Sequence, residues 1–583
     1  MTSPIKDMQF ILHDVLDMTA HYAALGGELG IDRGTIDMVL DEIGRFADGE
    51  LAPINAAGDA GCQLDDGVVT TPAGFADAYA KYVTGGWAGL CGDPTYGGQG
   101  MPESFGFMLE EICCVANMAW TMYPGLSRGA IAALAEHADP QLKAQFLPKL
   151  LSGEWTGTMC LTEPHAGSDV GLARTKAAAH ADGSYRINGT KIFISAGEHD
   201  LAENIVHLVL ARLPDSPAGT KGISMFVVPK VDLDGTRNGV RCGNIEHKMG
   251  IHGNATCELL FEDAKGFLVG EPNQGMRYMF TMMNAARLAV GLQGISIAQA
   301  AFEKAADYAA DRLQMRSLTG PKAPDKPADP ILVHPDVRRM LLTQRAIIEG
   351  GRALVYYVAQ LVDISRRGTG EAQQDADTKL DFLTPIAKAL LTELGFESTN
   401  HALQVFGGHG YIRENGVEQY VRDLRIALLY EGTTGIQALD LVGRKLLGTQ
   451  GAGLQAFVKD AEKIIAQAQE PFPEHSQTLQ ELNQQWLELS MNLGGKALEN
   501  LDEVGAASTD YLFFSGYVVL AAMWLKIACA AHGHPDAEYA QSKIDTARFY
   551  FQRILPRAQA HAAAVASGAD TLMDVQPQAF AAS

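Results

Sequence analysis

The chain has 583 residues, 47% of them hydrophobic and 20% charged, and a formal net charge of −23. Such a length exceeds one ordinary domain, and the composition suits a well-packed globular enzyme of several domains. The acidic balance argues against duplex nucleic acid as a main partner, because phosphate binding needs a basic surface.

Residues 1–155 read as a helical domain. Ile36, Val39, Leu40, Ile43 and Phe46 recur at helical spacing, as do Phe107, Leu109, Ile112, Val115 and Met118. The Asp93–Gly100 stretch is a loop by composition, and Leu142–Leu151 is a further amphipathic turn. The N-terminal Met1–Asp7 stretch lacks a basic region followed by an apolar core, so no secretory signal is expected. Eight scattered cysteines form no Cys-x-x-Cys pair and no zinc spacing. A reducing, cytoplasmic setting and no metal follow from that usage. Cys113 and Cys114, adjacent in an apolar run, read as core thiols.

Residues 156–280 change character. Short β-branched and aromatic runs at Tyr185–Ile187, Lys191–Ile194, Ile205–Leu210, Ile223–Val228 and Cys257–Phe261 alternate with turns. Asp182-Gly183 and Asn188-Gly189 are hairpin-type pairs. The expectation is a compact antiparallel β domain between two helical regions. Residues 281–446 return to long helices, interrupted by a Pro/Lys/Asp-rich loop from Thr319 to Pro330 and by the Gly407-Gly408-His409-Gly410 turn. Residues 447–583 form a tail of alanine-rich amphipathic helices, with breaks expected at Pro471-Phe472-Pro473, Gly494-Gly495 and His532–Pro535. No run reads as long and apolar enough to span a membrane. His532 and His534 lie at a Pro turn without a carboxylate cluster, which makes a poor metal site.

The run Leu429-Tyr430-Glu431-Gly432-Thr433-Thr434-Gly435-Ile436-Gln437 sets one carboxylate between an aromatic ring and a Gly-Thr-Thr-Gly turn. Glycine lets the backbone approach a ligand closely, and either threonine can cap the helix that follows. Read alone, Glu431 is equally a base toward a carbon acid or an ordinary acid at a helix start. A Rossmann phosphate loop is not found. Gly451-Ala-Gly453-Leu-Gln-Ala456 comes nearest, but it follows a helix instead of a strand.

Three motifs change the balance: Met159–Gly171 with its Leu161-Thr162-Glu163-Pro164, Lys191–Gly197, and the Tyr-Glu-Gly-Thr run. In this order they resemble the acyl-CoA dehydrogenase family over about residues 40–446. The long tail resembles the family's larger branch, which includes enzymes acting on 3-methylthiopropionyl-CoA. The resemblance implies a mainly α fold with a central β domain, ordered as α domain, β domain and four-helix α domain, followed by a C-terminal helical bundle. It implies FAD, an acyl-CoA substrate, electron-transfer flavoprotein as acceptor, no membrane association and a homodimer. It implies that Glu431 takes the α-proton of the thioester.

The resemblance also carries residues to roles. Leu161, Thr162, Gly167 and Ser168 would meet the flavin, Ser168 also lying near the CoA arm. Phe193 and Ser195 stand where many members have Trp and Thr, and would face the ring and its polar edge. Arg312, Gln314 and Met315 would meet the pyrophosphate side, an arginine fork suiting two phosphate oxygens. Met315 replaces the usual Phe. Gln404, Gly407 and Gly408 would approach the adenosine half. Thr433 and Gly435 would contact FAD, Gly435 replacing a common Gln. Asn284, Arg287, Tyr430 and Gly432 would bind substrate. Some members carry the base one residue before the helix arginine. That position is Ala286 here, which leaves Glu431.

The acyl chain stays open. Tyr123-Pro124-Gly125-Leu126 resembles the methylthiopropionyl branch, so a short thioester of that type ranks ahead of short to medium straight chains, and those ahead of longer ones. Alternatives are an acyl-CoA oxidase, or a DNA-associated flavoprotein of the alkylation-response type, whose basic tail is missing here.

Overall fold

The computed structural model describes residues 3–26 and 30–581. They form two compact units. One comprises Glu42–Ala289; the other joins Ser3–Asp41 to Val290–Ser583.

The first unit is built on a sheet. A small hairpin, β1 (Gln63–Asp65) with β2 (Val68–Thr70), precedes it within the stretch read as helical. The main sheet holds β3 (Trp155–Cys160), β4 (Lys176–Ala179), β5 (Tyr185–Ser195), β6 (Asn204–Ala211), β7 (Ser224–Pro229), β8 (Val240–Ile245) and β9 (Thr256–Val269). Its order is β3-β6-β7-β9-β5-β4, with β8 also on β9. Every pairing is antiparallel except β3 with β6, which are separated by a crossover containing β4 and β5.

Period-2 alternation explains the packing. Leu208, Leu210, Met225 and Val227 face one core with Phe146, Leu150 and Met282. Val209, Ala211, Phe226 and Val228 face the other with Ile187, Ile194 and Leu259. Strands buried on both faces read as continuous apolar runs, which is why β6 and β7 were legible. Asp182-Gly183 does turn between β4 and β5, with Gly183 at φ +83°. Asn188-Gly189 does not: both lie inside β5 at a register shift against β9, and the Asn188 side chain accepts from the Asp263 N–H. The two short runs expected there are therefore one bulged strand.

The second unit is helical. The helix Gly275–Asp311, whose later part belongs to it, is followed by Pro335–Arg367 and Gly370–Phe406. Glycines let two of these approach to backbone contact. A Cβ at Gly294 would lie 2.4 Å from the Leu391 carbonyl oxygen, and one at Gly395 would lie 2.3 Å from that of Gly294. The Thr319–Pro330 stretch is irregular, as its composition suggests, but it is ordered around Asp329. That buried carboxylate accepts from the N–H groups of Ser317, Lys322 and Ala323 and pairs with Arg316 at 3.1 Å.

The tail helices are Ala452–Ala468, Pro473–Glu499, Asp502–Ala531, Ala537–Phe549 and Arg557–Ser567. Gly494-Gly495 does not break its helix, the propensity cost of a glycine being only about 1 kcal/mol. The helix Asp502–Ala531 is long and apolar enough to cross a membrane by length and composition, contrary to expectation, but 83% of its apolar window is buried among the other helices. Arg557 ties the tail to Gly370–Phe406 through a two-pronged pair with Glu397, both contacts 2.8 Å. The segment Ser3–Asp41 belongs to this unit as well. Asp7 is ion-paired with Arg352 and Lys543 and accepts from Tyr539 at 3.0 Å. Burial alone would raise the Asp7 carboxyl, but the two cations hold it well below the carboxylate range.

Candidate active site

The sheet unit carries eight of the expected residues. The loop carrying Leu161 and Thr162 is tied to β5 because Ile192 N–H donates to the Thr162 carbonyl at 2.9 Å. Lys191 Nζ reaches the Leu161 carbonyl, also at 2.9 Å. The anchor beneath is a pair that the motif contained but sequence reasoning passed over. Lys191 is fully buried and meets Glu163 Oε1 at 2.9 Å. Glu163 further accepts from the N–H groups of Arg174 and Thr175 and from the Thr175 hydroxyl. Burial pushes the Glu163 carboxyl up, but Lys191, the Thr175 hydroxyl and the backbone donor outweigh it and hold it at about 2.

Above that anchor the strand is contorted. Phe193 has φ +57°, in a register shift between Lys191 and Ile194, and Ala196, just past the strand, has φ +54°. A bulky residue in the left-handed region is a local strain. Its result is that the Phe193 ring is turned out of the sheet and is 59% exposed. Ser195 is half-buried two residues on, and Gly167 and Ser168 are exposed on the adjoining loop. In the same unit Arg287 is buried against Asn284, 3.5 Å away, and over the Phe280 ring.

The helical unit gathers two further sets. Arg312, Gln314 and Met315 follow the end of Gly275–Asp311 and are exposed. Their backbone is paired with 329–331: Gln314 N–H donates to the Asp329 carbonyl, and Ile331 N–H to that of Arg312. Gln404, Gly407 and Gly408 end Gly370–Phe406 and are exposed too. Tyr308, which the sequence did not single out, joins the two sets. It stacks on Phe406 with centroids 4.1 Å apart and hydrogen-bonds His409 at 2.8 Å. Arg312 lies just past the helix end, its N–H donating to the Tyr308 carbonyl at 2.8 Å.

The Tyr430–Gly435 turn is the most tightly held of all. Glu431 has φ +56° and Gly432 φ +88°, two consecutive left-handed residues. Four side-chain hydrogen bonds hold the turn, two of them to the carbonyls of these residues. The Tyr430 hydroxyl donates to Gln293. Gln437 Nε2 donates to the Glu431 carbonyl at 2.8 Å, and Lys388 Nζ to the Gly432 carbonyl at 2.6 Å. The Thr434 hydroxyl donates to Glu393 at 2.6 Å. Of the two threonines able to cap the next helix, Thr433 does so, accepting from Ile436 N–H at 3.3 Å. Its own O–H remains a donor. Glu431 itself is half-buried.

These residues fit FAD on observations of the chain itself. A Cβ at Gly167, Gly408 or Gly435 would meet nothing within 4 Å, so protein packing does not explain the bare backbone there; at Gly407 the φ of +60° itself calls for glycine. Phe193 offers an uncovered aromatic face at the cost of backbone strain. The exposed Arg312 pairs with no carboxylate among the described residues.

Comparison with known proteins is extensive. Family models match four segments: "Acyl-CoA dehydrogenase, N-terminal domain" at 35–154, "middle domain" at 158–264, "C-terminal domain" at 273–447, and "Acetyl-CoA dehydrogenase C-terminal like" at 453–576. The chain is 39% identical to a 3-methylmercaptopropionyl-CoA dehydrogenase of Ruegeria pomeroyi, over 98% of this chain and 99% of that one. It is 34% identical to a butyryl-CoA dehydrogenase of Syntrophomonas wolfei, over 99% and 98%. A solved acyl-CoA dehydrogenase of Bacillus anthracis, complexed with FAD, shares the fold at TM-score 0.75 and 22% identity, over 91% of this chain and 87% of that one. With matches of this length and identity, the chain belongs to the acyl-CoA dehydrogenase family.

Proposed function

We propose that this FAD-dependent acyl-CoA dehydrogenase oxidises an acyl-CoA thioester to its trans-2-enoyl-CoA with Glu431 as the base. The observation that carries the reading is the strained Glu431-Gly432 turn, held by four side-chain hydrogen bonds at residues 430–434. Strain held this firmly marks a site where one orientation matters.

The residues divide the work. Glu431 takes the α-proton as the α C–H bond breaks, and that electron pair becomes the new double bond. Bound FAD supplies the acceptor for the β-hydrogen and its two electrons. Because a carboxylate is a weak base in water, excluding water around Glu431 raises its basicity. The backbone N–H groups of the turn are donors for charge developing on the thioester oxygen. Phe193 and Ser195 offer a ring and a hydroxyl to the isoalloxazine. Leu161, Thr162, Gly167, Ser168 and Thr433 line it, with Gly435 leaving room. Arg312, Gln314, Met315, Gln404, Gly407 and Gly408 take the pyrophosphate and adenosine end. Asn284, Arg287, Tyr430, Gly432 and Ser168 bind the acyl-CoA.

The substrate proposed is a short thioester of the 3-methylthiopropionyl type, ahead of short straight chains. It is supported by the identity to the Ruegeria enzyme over nearly the whole chain. The identity to a butyryl-CoA dehydrogenase over a similar length supports the second choice. Electron-transfer flavoprotein as acceptor, a homodimer and a cytoplasmic setting complete the proposal. A ferricenium-coupled assay over an acyl-CoA panel tests it. The highest kcat/KM is expected for 3-methylthiopropionyl-CoA, with a loss of about tenfold or more for chains longer by several methylenes. If no thioester bleaches the flavin, the reading fails. Rapid oxygen uptake without an added acceptor would identify an oxidase instead.

A further inference from the structure

We propose that Lys388, together with Gln437, is a positioning residue for Glu431, fixing its peptide planes and thereby where its carboxylate stands. The inference rests on the reading of Glu431 as the base and adds the two groups that aim it.

Both side chains are 0% exposed, in a helical core where an ammonium or an amide has no water to turn to. Lys388 sits in the apolar run Ile386-Ala387-Lys388-Ala389-Leu390-Leu391, all of it buried. A buried lysine there has a high desolvation cost, and one of the contacts that offset it is made to the turn. It donates to the Gly432 carbonyl at 2.6 Å, while Gln437 Nε2 donates to the carbonyl one residue earlier at 2.8 Å. Two consecutive carbonyls are thus drawn inward by two donors on different helices.

Geometry sets the consequence. In a trans peptide the C=O and the following N–H point in opposite directions. With the carbonyls of Glu431 and Gly432 held inward, the N–H groups of Gly432 and Thr433 must point away from Lys388 and Gln437. Among the described residues, neither N–H donates to a backbone carbonyl. The clamp therefore fixes two open donors as well as the left-handed φ of Glu431. It also explains Gly432, where a Cβ would lie 2.6 Å from Gln437 Nε2. The φ of +88° at Gly432 favours glycine in its own right.

The test uses FAD-loaded wild type, Lys388→Met and Gln437→Leu. Three quantities are read: the anaerobic flavin-reduction rate with the best thioester, the affinity for a CoA thioether that cannot be oxidised, and the thermal midpoint. Lys388→Met is expected to slow reduction about 100-fold and Gln437→Leu about tenfold, since misplacing a reacting group by about 1 Å costs up to about 100-fold. Affinity should stay within about threefold, the mark of an interaction made only in the transition state. Reduction at the wild-type rate in both variants overturns the proposal. So does a parallel loss of rate and affinity, which would make the clamp a general structural brace. If Lys388→Met does not fold, Gln437→Leu decides alone. Failure of wild type to reduce its flavin with any thioester would instead refute the reading of Glu431 as base.

Discussion

Glu431→Gln is expected to bind FAD and acyl-CoA as wild type does, yet to lose flavin reduction by about 10⁴-fold, the upper range for removing a general base. The substitution keeps the shape of the side chain and removes its negative charge and its capacity to accept a proton. The backbone is unaffected, because the turn is held through the carbonyls of residues 431 and 432 and through the side chains of Tyr430 and Thr434. Stopped-flow reduction and exchange of the α-hydrogen with solvent deuterium should disappear together. Retained exchange with lost reduction would assign proton removal to another group. Turnover near the wild-type rate would remove Glu431 from the mechanism.

Glu163→Gln is the second large effect, and it acts on stability. It leaves Lys191 fully buried with its carboxylate gone. Breaking a buried pair from one side costs about 3–5 kcal/mol, whereas replacing both partners with apolar residues costs far less. The sheet unit should therefore melt roughly 10 °C lower, with FAD lost early, because the pair ties the Leu161–Thr162 loop to β5. The double variant Glu163→Leu/Lys191→Met should recover part of that loss. A single variant melting with wild type would show that the pair contributes nothing. The pH dependence has a definite sign. The Glu163 carboxyl is depressed from 4.5 to about 2 in the folded chain. Its stabilisation is therefore complete above about 4.5 and is lost as pH falls through about 2. Acid unfolding of Glu163→Gln should lack that contribution across the same window.

Much of this was legible in the sequence, and for identifiable reasons. The β6 and β7 strands announced themselves as apolar runs because both their faces are buried. The Glu431 turn was legible because glycine and threonine are residues a strained, capped turn requires. What stayed hidden depended on tertiary distance. Nothing near Lys388 in the chain says that it serves a carbonyl 44 residues on, although a lone lysine inside an apolar run was a signal worth following. Tyr308 gave no signal, since its partners Phe406 and His409 lie about a hundred residues away. Asn188-Gly189 misled because the same dipeptide suits a type I′ turn and a strand bulge, and only the register with β9 separates them. The tail helix Asp502–Ala531 carries almost no polar face, so its burial could be read only from the helices around it.

The most direct measurement is a crystal structure of the FAD-loaded protein with a thioester analogue that binds but cannot be oxidised. The account predicts a Glu431 carboxylate oxygen about 3–3.5 Å from the analogue's α-carbon, with the Lys388 and Gln437 contacts intact. A carboxylate turned to solvent, or a different base nearer that carbon, would contradict it.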